Sequence, residues 1–219
     1  MTRQLPTLLV VRHGETQWNV AGRLQGRLDT PLTVNGMRQA LAVAARLAPA
    51  VAELEDPVFW VSPLGRARQT ASILADIWSM PFAAFAEDPR LAERSYGAWE
   101  GMTLDEVEQD LPDQHRGNAA DPWCYRMPAG ETRTEHTDRL AGWLAALDTD
   151  RPHIAVTHSG CLRALRGLYS GAARDVILAY REPQTAAFLL TAGKEAQLDA
   201  PVALLRALGC DGEGRTVAI

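Results

Sequence analysis

Two histidines occupy matching places in this chain. His13 follows the apolar run Leu8-Leu9-Val10-Val11 and Arg12, with Gly14 directly after it. His158 follows Ile154-Ala155-Val156-Thr157, with Ser159 and Gly160 after it. An imidazole with a reference pKa of about 6.5 offers a nucleophilic lone pair at neutral pH. Arginines gather at the same places: Arg12 beside His13, and Arg66 and Arg68 just after the short apolar run at 58–61. Guanidiniums grip phosphate oxygens two at a time and offset charge that builds up as a phosphoryl group moves. They also favour the neutral form of a nearby imidazole. Two imidazoles and two or more guanidiniums therefore suit phosphoryl transfer. The departing oxygen needs a proton, and Glu15, Glu87, Asp88, Glu93 and Glu100 are all candidates to supply it. Spacing does not choose among them.

These groups act together only if the chain brings them to one place. The runs at 8–11, 58–61 and 154–157 are short and continuously apolar, the pattern of strands buried on both faces. Residues 33–47 have helical spacing, Ser62-Pro63 resembles an N-cap followed by proline at the first helical position, and a further helix starts at Ser159-Gly160. That last helix would aim backbone N–H groups at an anion. Residues 185–191 read as another strand, with a turn at 192–194 into a final short one. Alternating strands and helices predict a three-layer α/β/α sandwich with a mostly parallel central sheet. In such a sheet ligands bind beyond the carboxyl ends of the strands, where His13 and His158 both fall. The stretch from roughly 88 to 150 is richer in acidic residues, Gly, Pro and Trp. Its apparent capping boxes, Thr103 to Glu106 and Thr132 to Glu135, announce two helices. We read it as a helical cap inserted into a single domain spanning 1–219.

Bulk properties bound the function. A chain of 219 residues with 47% hydrophobic and 22% charged residues is of ordinary globular type. A net charge of −5 argues against a protein that coats nucleic acid. No apolar run is long enough to span a membrane or to act as a signal peptide. The three cysteines, Cys124, Cys161 and Cys210, are few and unpatterned, as expected of reduced thiols in a cytoplasmic protein. An edge strand leaves room for a homodimer, and nothing in the sequence demands one. No metal-binding motif is present.

Taken together, "VVRHGETQWNVAGRLQG", "SPLGRARQTA", "RLAERSYGAWEG", "PAGET" and "VTHSG", in that order, resemble the histidine phosphatase superfamily, which includes the cofactor-dependent phosphoglycerate mutases and their phosphatase relatives. The resemblance runs from Leu8 to about Leu190. It implies that His13 is a nucleophile that becomes a phosphohistidine, that Arg12, Arg66 and His158 form the phosphate pocket around it, and that Glu93 is the proton donor. It further implies that Asn19 and Gln25 lie at the phosphate, that Tyr96 approaches the rest of the substrate, and that no metal or organic cofactor takes part. Trp18 and Trp99 lie near these motifs and are read as pocket walls.

The fork within the family is mutase or hydrolase. Mutases resemble one another in a lysine soon after the "YG" segment and an adjacent arginine pair in the cap. Here residues 96–132 contain no lysine, Arg116 and Arg126 stand apart, and six acidic residues lie from Asp105 to Asp121. An acidic cap is a poor seat for a polyanion, and "PAGET" resembles the phosphatase branch. The sequence thus favours hydrolysis of a small phosphomonoester, with mutase activity the alternative and a non-catalytic phosphate-binding module on the same fold a further one. A degenerate module would have lost one of His13, Arg66, Glu93 or His158, and all four are present. A cysteine phosphatase would need an arginine where Gly130 and Gly167 stand, six residues after Cys124 and Cys161.

Overall fold

The computed structural model describes residues 5–191 and 193–210. Six strands form one sheet: β1 (Leu8–Arg12), β2 (Val58–Val61), β3 (Phe85–Glu87), β4 (His153–Thr157), β5 (Ala186–Thr191) and β6 (Lys194–Asp199). Their spatial order is β3-β2-β4-β1-β5-β6. The first four run parallel, and β5 and β6 are antiparallel additions beyond β1. The helices are α1 (Gln17–Val20), α2 (Val34–Ala52), α3 (Gly65–Ile77), α4 (Leu104–Asp110), α5 (Pro112–Ala120), α6 (Arg133–Leu144), α7 (Ser159–Ser170), α8 (Arg174–Ala179) and α9 (Val202–Ala207).

The apolar runs are continuous because both faces of the sheet are covered. In β1, Leu9 and Val11 face a core built with Ala40, Val43 and Leu47 of α2 and Ala71 and Leu74 of α3. Leu8 and Val10 face the opposite core, with Leu140 and Trp143 of α6 and Leu162 and Leu165 of α7. This is the two-residue alternation of a strand carried into three layers.

Three local features differ from the sequence reading. The third helix starts at Gly65, and its N-cap residue, Leu64, makes no side-chain cap. The carboxylate of Asp29 caps it from a distant loop, accepting from the N–H groups of Gly65 and Arg66, which frees Ser62 from the capping role. Strand β3 carries no apolar run, because it is an edge strand with only Phe85 buried. Within 88–150, α6 belongs to the sandwich itself. The satellite core of the cap is Trp99, Val107 and Met127 packed with Leu24. Both capping boxes form as read.

Candidate active site

Parallel pairing brings three strand ends to one edge. Arg12 pairs in register with Thr157, and Val61 with Val156. The next residues, His13, His158 and Ser62, therefore sit side by side. The His13 N–H donates to the Thr157 carbonyl at 2.9 Å, and the imidazoles of His13 and His158 lie 5.2 Å apart between ring centres. Gly14 follows because the chain here presses on the first turn of α2, where a Cβ would come 2.3 Å from the Gly36 carbonyl oxygen.

Hydrogen bonding fixes how His13 presents itself. Its Nδ1 lies 2.7 Å from the Gly14 carbonyl, which can only accept, so Nδ1 carries the hydrogen and Nε2 keeps its lone pair. Burial, then the charges of Arg66 and Arg12, push the His13 pKa well below the usual imidazole value. The same causes, led by burial and Arg66, push His158 the same way. His158 is fully buried, with Nε2 2.7 Å from the Ser62 hydroxyl and no partner for Nδ1 among the described residues. Ser62 Oγ also accepts from the Leu64 N–H at 3.3 Å.

Around His13 lies a cavity of about 60 Å³; of the residues singled out in the sequence Arg12, Asn19, Gln25, Arg66, Glu93 and Tyr96 line it, while His158, fully buried beside His13, is not part of its wall. Arg66 is held rigidly. It donates to the carbonyls of Leu28 and Gly26, each at 2.8 Å, and to Asp29 at 3.0 Å, while its Nε has no partner among the described residues. Arg12 donates to the Glu182 carbonyl at 2.6 Å. Asn19 caps α1 through its carboxamide oxygen, which also accepts from Gln184. Arg68 points outward to an exposed ion pair with Glu87.

The candidate carboxylates stand in different places. Glu15 bonds Thr33, Glu87 pairs with Arg68, Asp88 with Arg90, and Glu100 accepts from Ser95, Tyr96 and Arg27. None of these four lines the cavity; Glu93 does. Its carboxylate accepts from the backbone of Arg94 at 2.8 Å and of Gly160 at 2.9 Å. Residue 160 must be glycine for this approach, since a Cβ there would lie 2.3 Å from Glu93 Oε1. The Gly160 N–H, in the first turn of α7, is thus already engaged by a carboxylate. The Thr157 hydroxyl holds the Leu91 carbonyl at 2.7 Å, and Arg139 of α6 donates to the carbonyls of Arg90 and Ala92. Arg139 is itself paired with Glu131 of the "PAGET" stretch at 3.0 Å, and Glu131 accepts from the Ser95 N–H. That motif is a clamp on the segment bearing Glu93.

Two aromatic assignments are corrected. Trp18 does not line the cavity; it packs against Gly101, its ring 3.3 Å from where a Cβ would stand. Trp99 is fully buried in the satellite core and donates to Gln114. The acidic residues of the cap also lie away from the cavity. Glu106 pairs with Arg23, the other acidic residues of 105–121 face solvent, and none lines the cavity. The cavity wall instead carries Arg23, Arg133 and Arg163, which sequence reasoning missed. A signal existed for Arg133: a cation in the first turn of a helix opposes the helix dipole, a local conflict that marks function.

Cys161 is a packing residue. Burial pushes its thiol up to about 12, and Sγ sits 3.2 Å from the Ala92 carbonyl. Among the described residues, Glu93, His136 and Cys161 are the one group of donors close enough to share a cation, all within 4.8 Å. The charges of Arg139, Arg94 and Arg133 bear on it, so it is a poor cation seat.

With the site in place, the similarity to known proteins is informative. The family pattern of the histidine phosphatase superfamily, branch 1, matches residues 8–196. A protein of Escherichia fergusonii named "Probable phosphoglycerate mutase GpmB" is 35% identical over 211 residues, covering 88% of this chain and 94% of that protein. The glucosyl-3-phosphoglycerate phosphatase of Mycolicibacterium vanbaalenii is 35% identical over 176 residues, covering 75% of this chain and 74% of that protein. The solved structure of Bacillus stearothermophilus YhfR superposes with a TM-score of 0.73 at 28% identity, covering 89% of this chain and 96% of that one. The chain belongs to the histidine phosphatase superfamily, branch 1, and is an enzyme of the phosphatase kind.

Proposed function

We propose that the protein hydrolyses a small phosphomonoester through a phosphohistidine at Nε2 of His13. The observation that carries this reading is the His13 hydrogen bond to the Gly14 carbonyl, which leaves a neutral Nε2 in a cavity lined by two fixed guanidiniums and one carboxylate. In the first half-reaction Nε2 attacks phosphorus and the P–O bond to the leaving group breaks. Glu93, protonated, gives its proton to the departing oxygen. Arg12 and Arg66 hold the equatorial phosphoryl oxygens as charge shifts onto them. His158, accepting at Nε2 from the Ser62 hydroxyl, donates from Nδ1 to a third oxygen. In the second half-reaction water attacks phosphorus, the P–N bond breaks, and the Glu93 carboxylate takes the proton from water. Phosphate leaves, and the starting protonation states are restored.

Hydrolysis is favoured over mutase action because 96–132 lacks the lysine and the paired arginines that hold a second phosphate in mutases. We place the enzyme in the cytoplasm, in keeping with three cysteines that form no disulfide; among the described residues no helix is long and apolar enough to cross a membrane. The test is a phosphomonoester panel run beside a mutase assay on the two phosphoglycerates. Phosphate release is expected to exceed interconversion. Interconversion without net phosphate release would overturn the hydrolytic reading.

A further inference from the structure

Glu93 loses and regains a proton in each cycle of the hydrolytic reading, so what stands beside it must serve both states. The backbone N–H groups of Arg94 and Gly160 each bond its carboxylate. His136 of α6 is also close. It does not line the cavity and is 3% exposed, yet its Nε2 lies 4.0 Å from Glu93 Oε1. The same Nε2 is 3.3 Å from the sulfur of Cys161 in α7. Burial keeps that thiol protonated, its pKa pushed up to about 12, and its hydrogen goes to the Ala92 carbonyl at 3.2 Å. The sulfur therefore meets His136 as an acceptor, and Nε2 carries the hydrogen. Arg139 and Arg133 of α6, Arg94 beside Glu93, and Arg27 face the imidazole; burial, then their charges, hold its pKa well below the usual value. His136 is thus a neutral N–H donor resting on a weak acceptor, beside a stronger one whenever Glu93 is ionised.

We propose that His136 is a positioning residue for the acid: its Nε2–H rests on Cys161 while Glu93 is protonated and closes on Glu93 Oε1 as the proton departs. An ionised carboxylate oxygen accepts two hydrogen bonds, so the Arg94 N–H on Oε1 does not bar a second from His136. The swing is cheap because an N–H···S bond is weak, and it favours only the ionised state. His136 neither gains nor loses a proton; the Glu93 proton goes to the leaving oxygen. The imidazole stabilises the charge that develops on Glu93 in that step, without touching substrate. The other groups facing Glu93 are Arg12, Arg133, Arg163 and the Cys161 thiol. Arg12 and Arg133 are lowered only to about 10 and Arg163 is raised, so none of these changes charge near neutral pH. This inference rests on Glu93 being the acid of the hydrolytic reading and adds the group that supports it.

The test is the pH profile of kcat/KM for β-glycerophosphate, whose upper limb marks loss of the Glu93 proton and should be absent in Glu93→Gln. His136→Phe keeps the bulk and removes the donor. Its upper limb is expected to move to higher pH by about one unit, the roughly tenfold that one hydrogen bond to a charged group is worth. Single-turnover phosphoenzyme formation should slow by up to about tenfold with β-glycerophosphate, and far less with p-nitrophenyl phosphate, which needs no acid. His136→Gln, which presents an N–H at a similar place, should return the limb toward that of the wild type. Cys161→Ala removes the resting acceptor, so its limb should move the opposite way, to lower pH. Limbs unmoved in His136→Phe and Cys161→Ala, or moved in the same direction in both, would overturn the proposal, as would His136→Gln matching His136→Phe. A wild-type upper limb that survives in Glu93→Gln would instead refute the acid role of Glu93, and this inference with it.

Discussion

Replacing Glu93 with glutamine probes the acid role with little change of shape. The carboxylate accepts two backbone hydrogen bonds, 2.8 Å from Arg94 N and 2.9 Å from Gly160 N. A carboxamide has one oxygen, so one of those N–H groups would meet an NH₂. Losing a bond to a charged acceptor at a buried position costs about 1.5–3 kcal/mol of stability. For a chain of this size that lowers the Tm by roughly 2–4 °C per kcal/mol, so the variant remains folded at 25 °C. The catalytic loss is separable because it depends on the leaving group. General acid catalysis contributes roughly 10²–10⁴-fold where the leaving oxygen is a poor one. Single-turnover phosphoenzyme formation should therefore slow by about that factor for an alkyl phosphate, and by under about tenfold for p-nitrophenyl phosphate, whose phenolate leaves unaided. Rapid-quench measurements across a series of leaving groups give the slope. A uniform slowing across the series would refute the assignment of Glu93 as the acid.

Other consequences follow from the same geometry. Burial holds His13, His136 and His158 well below the ordinary imidazole pKa. Unfolded histidines titrate near 6.5, so below that pH the unfolded chain binds more protons than the folded one. The stabilisation is fully present above about pH 6.5 and is lost as pH falls toward the folded values, by up to about 1.4 kcal/mol per pH unit for each histidine. Denaturant titrations from pH 7 to 5 should show this slope, and His136→Leu should remove about a third of it; a flat profile would contradict the burial argument. Ser62→Ala removes the 2.7 Å contact to His158. It should lower kcat by up to about tenfold, the worth of one hydrogen bond of about 0.5–1.5 kcal/mol. An unchanged kcat would mean that His158 needs no such partner.

What was legible in the sequence depended on how local its cause was. His13 and His158 could be read because a strand buried on both faces is an uninterrupted apolar run, and its end is marked by the first charge. The capping boxes at Thr103 and Thr132 were equally readable, since their bonds close within three residues. Glu93 was not readable from spacing. Its position is set by the N–H of Gly160, 67 residues on, and by Thr157 and Arg139 gripping the preceding carbonyls. The start of α3 was misread because Asp29, 36 residues before Gly65, supplies its cap. The acidic cap misled because composition does not say which way a side chain faces. Trp18 and Trp99 misled for the same reason.

The central claim is that the phosphoryl group passes through Nε2 of His13. Brief incubation with a ³²P-labelled phosphomonoester, followed by denaturing quench and peptide mapping, tests it directly. Acid-labile, base-stable label on the peptide bearing His13 is expected, chasing into free phosphate as turnover proceeds, with none in His13→Ala. Turnover of wild type with no label under single-turnover conditions, or equal labelling of His13→Ala, would contradict the account.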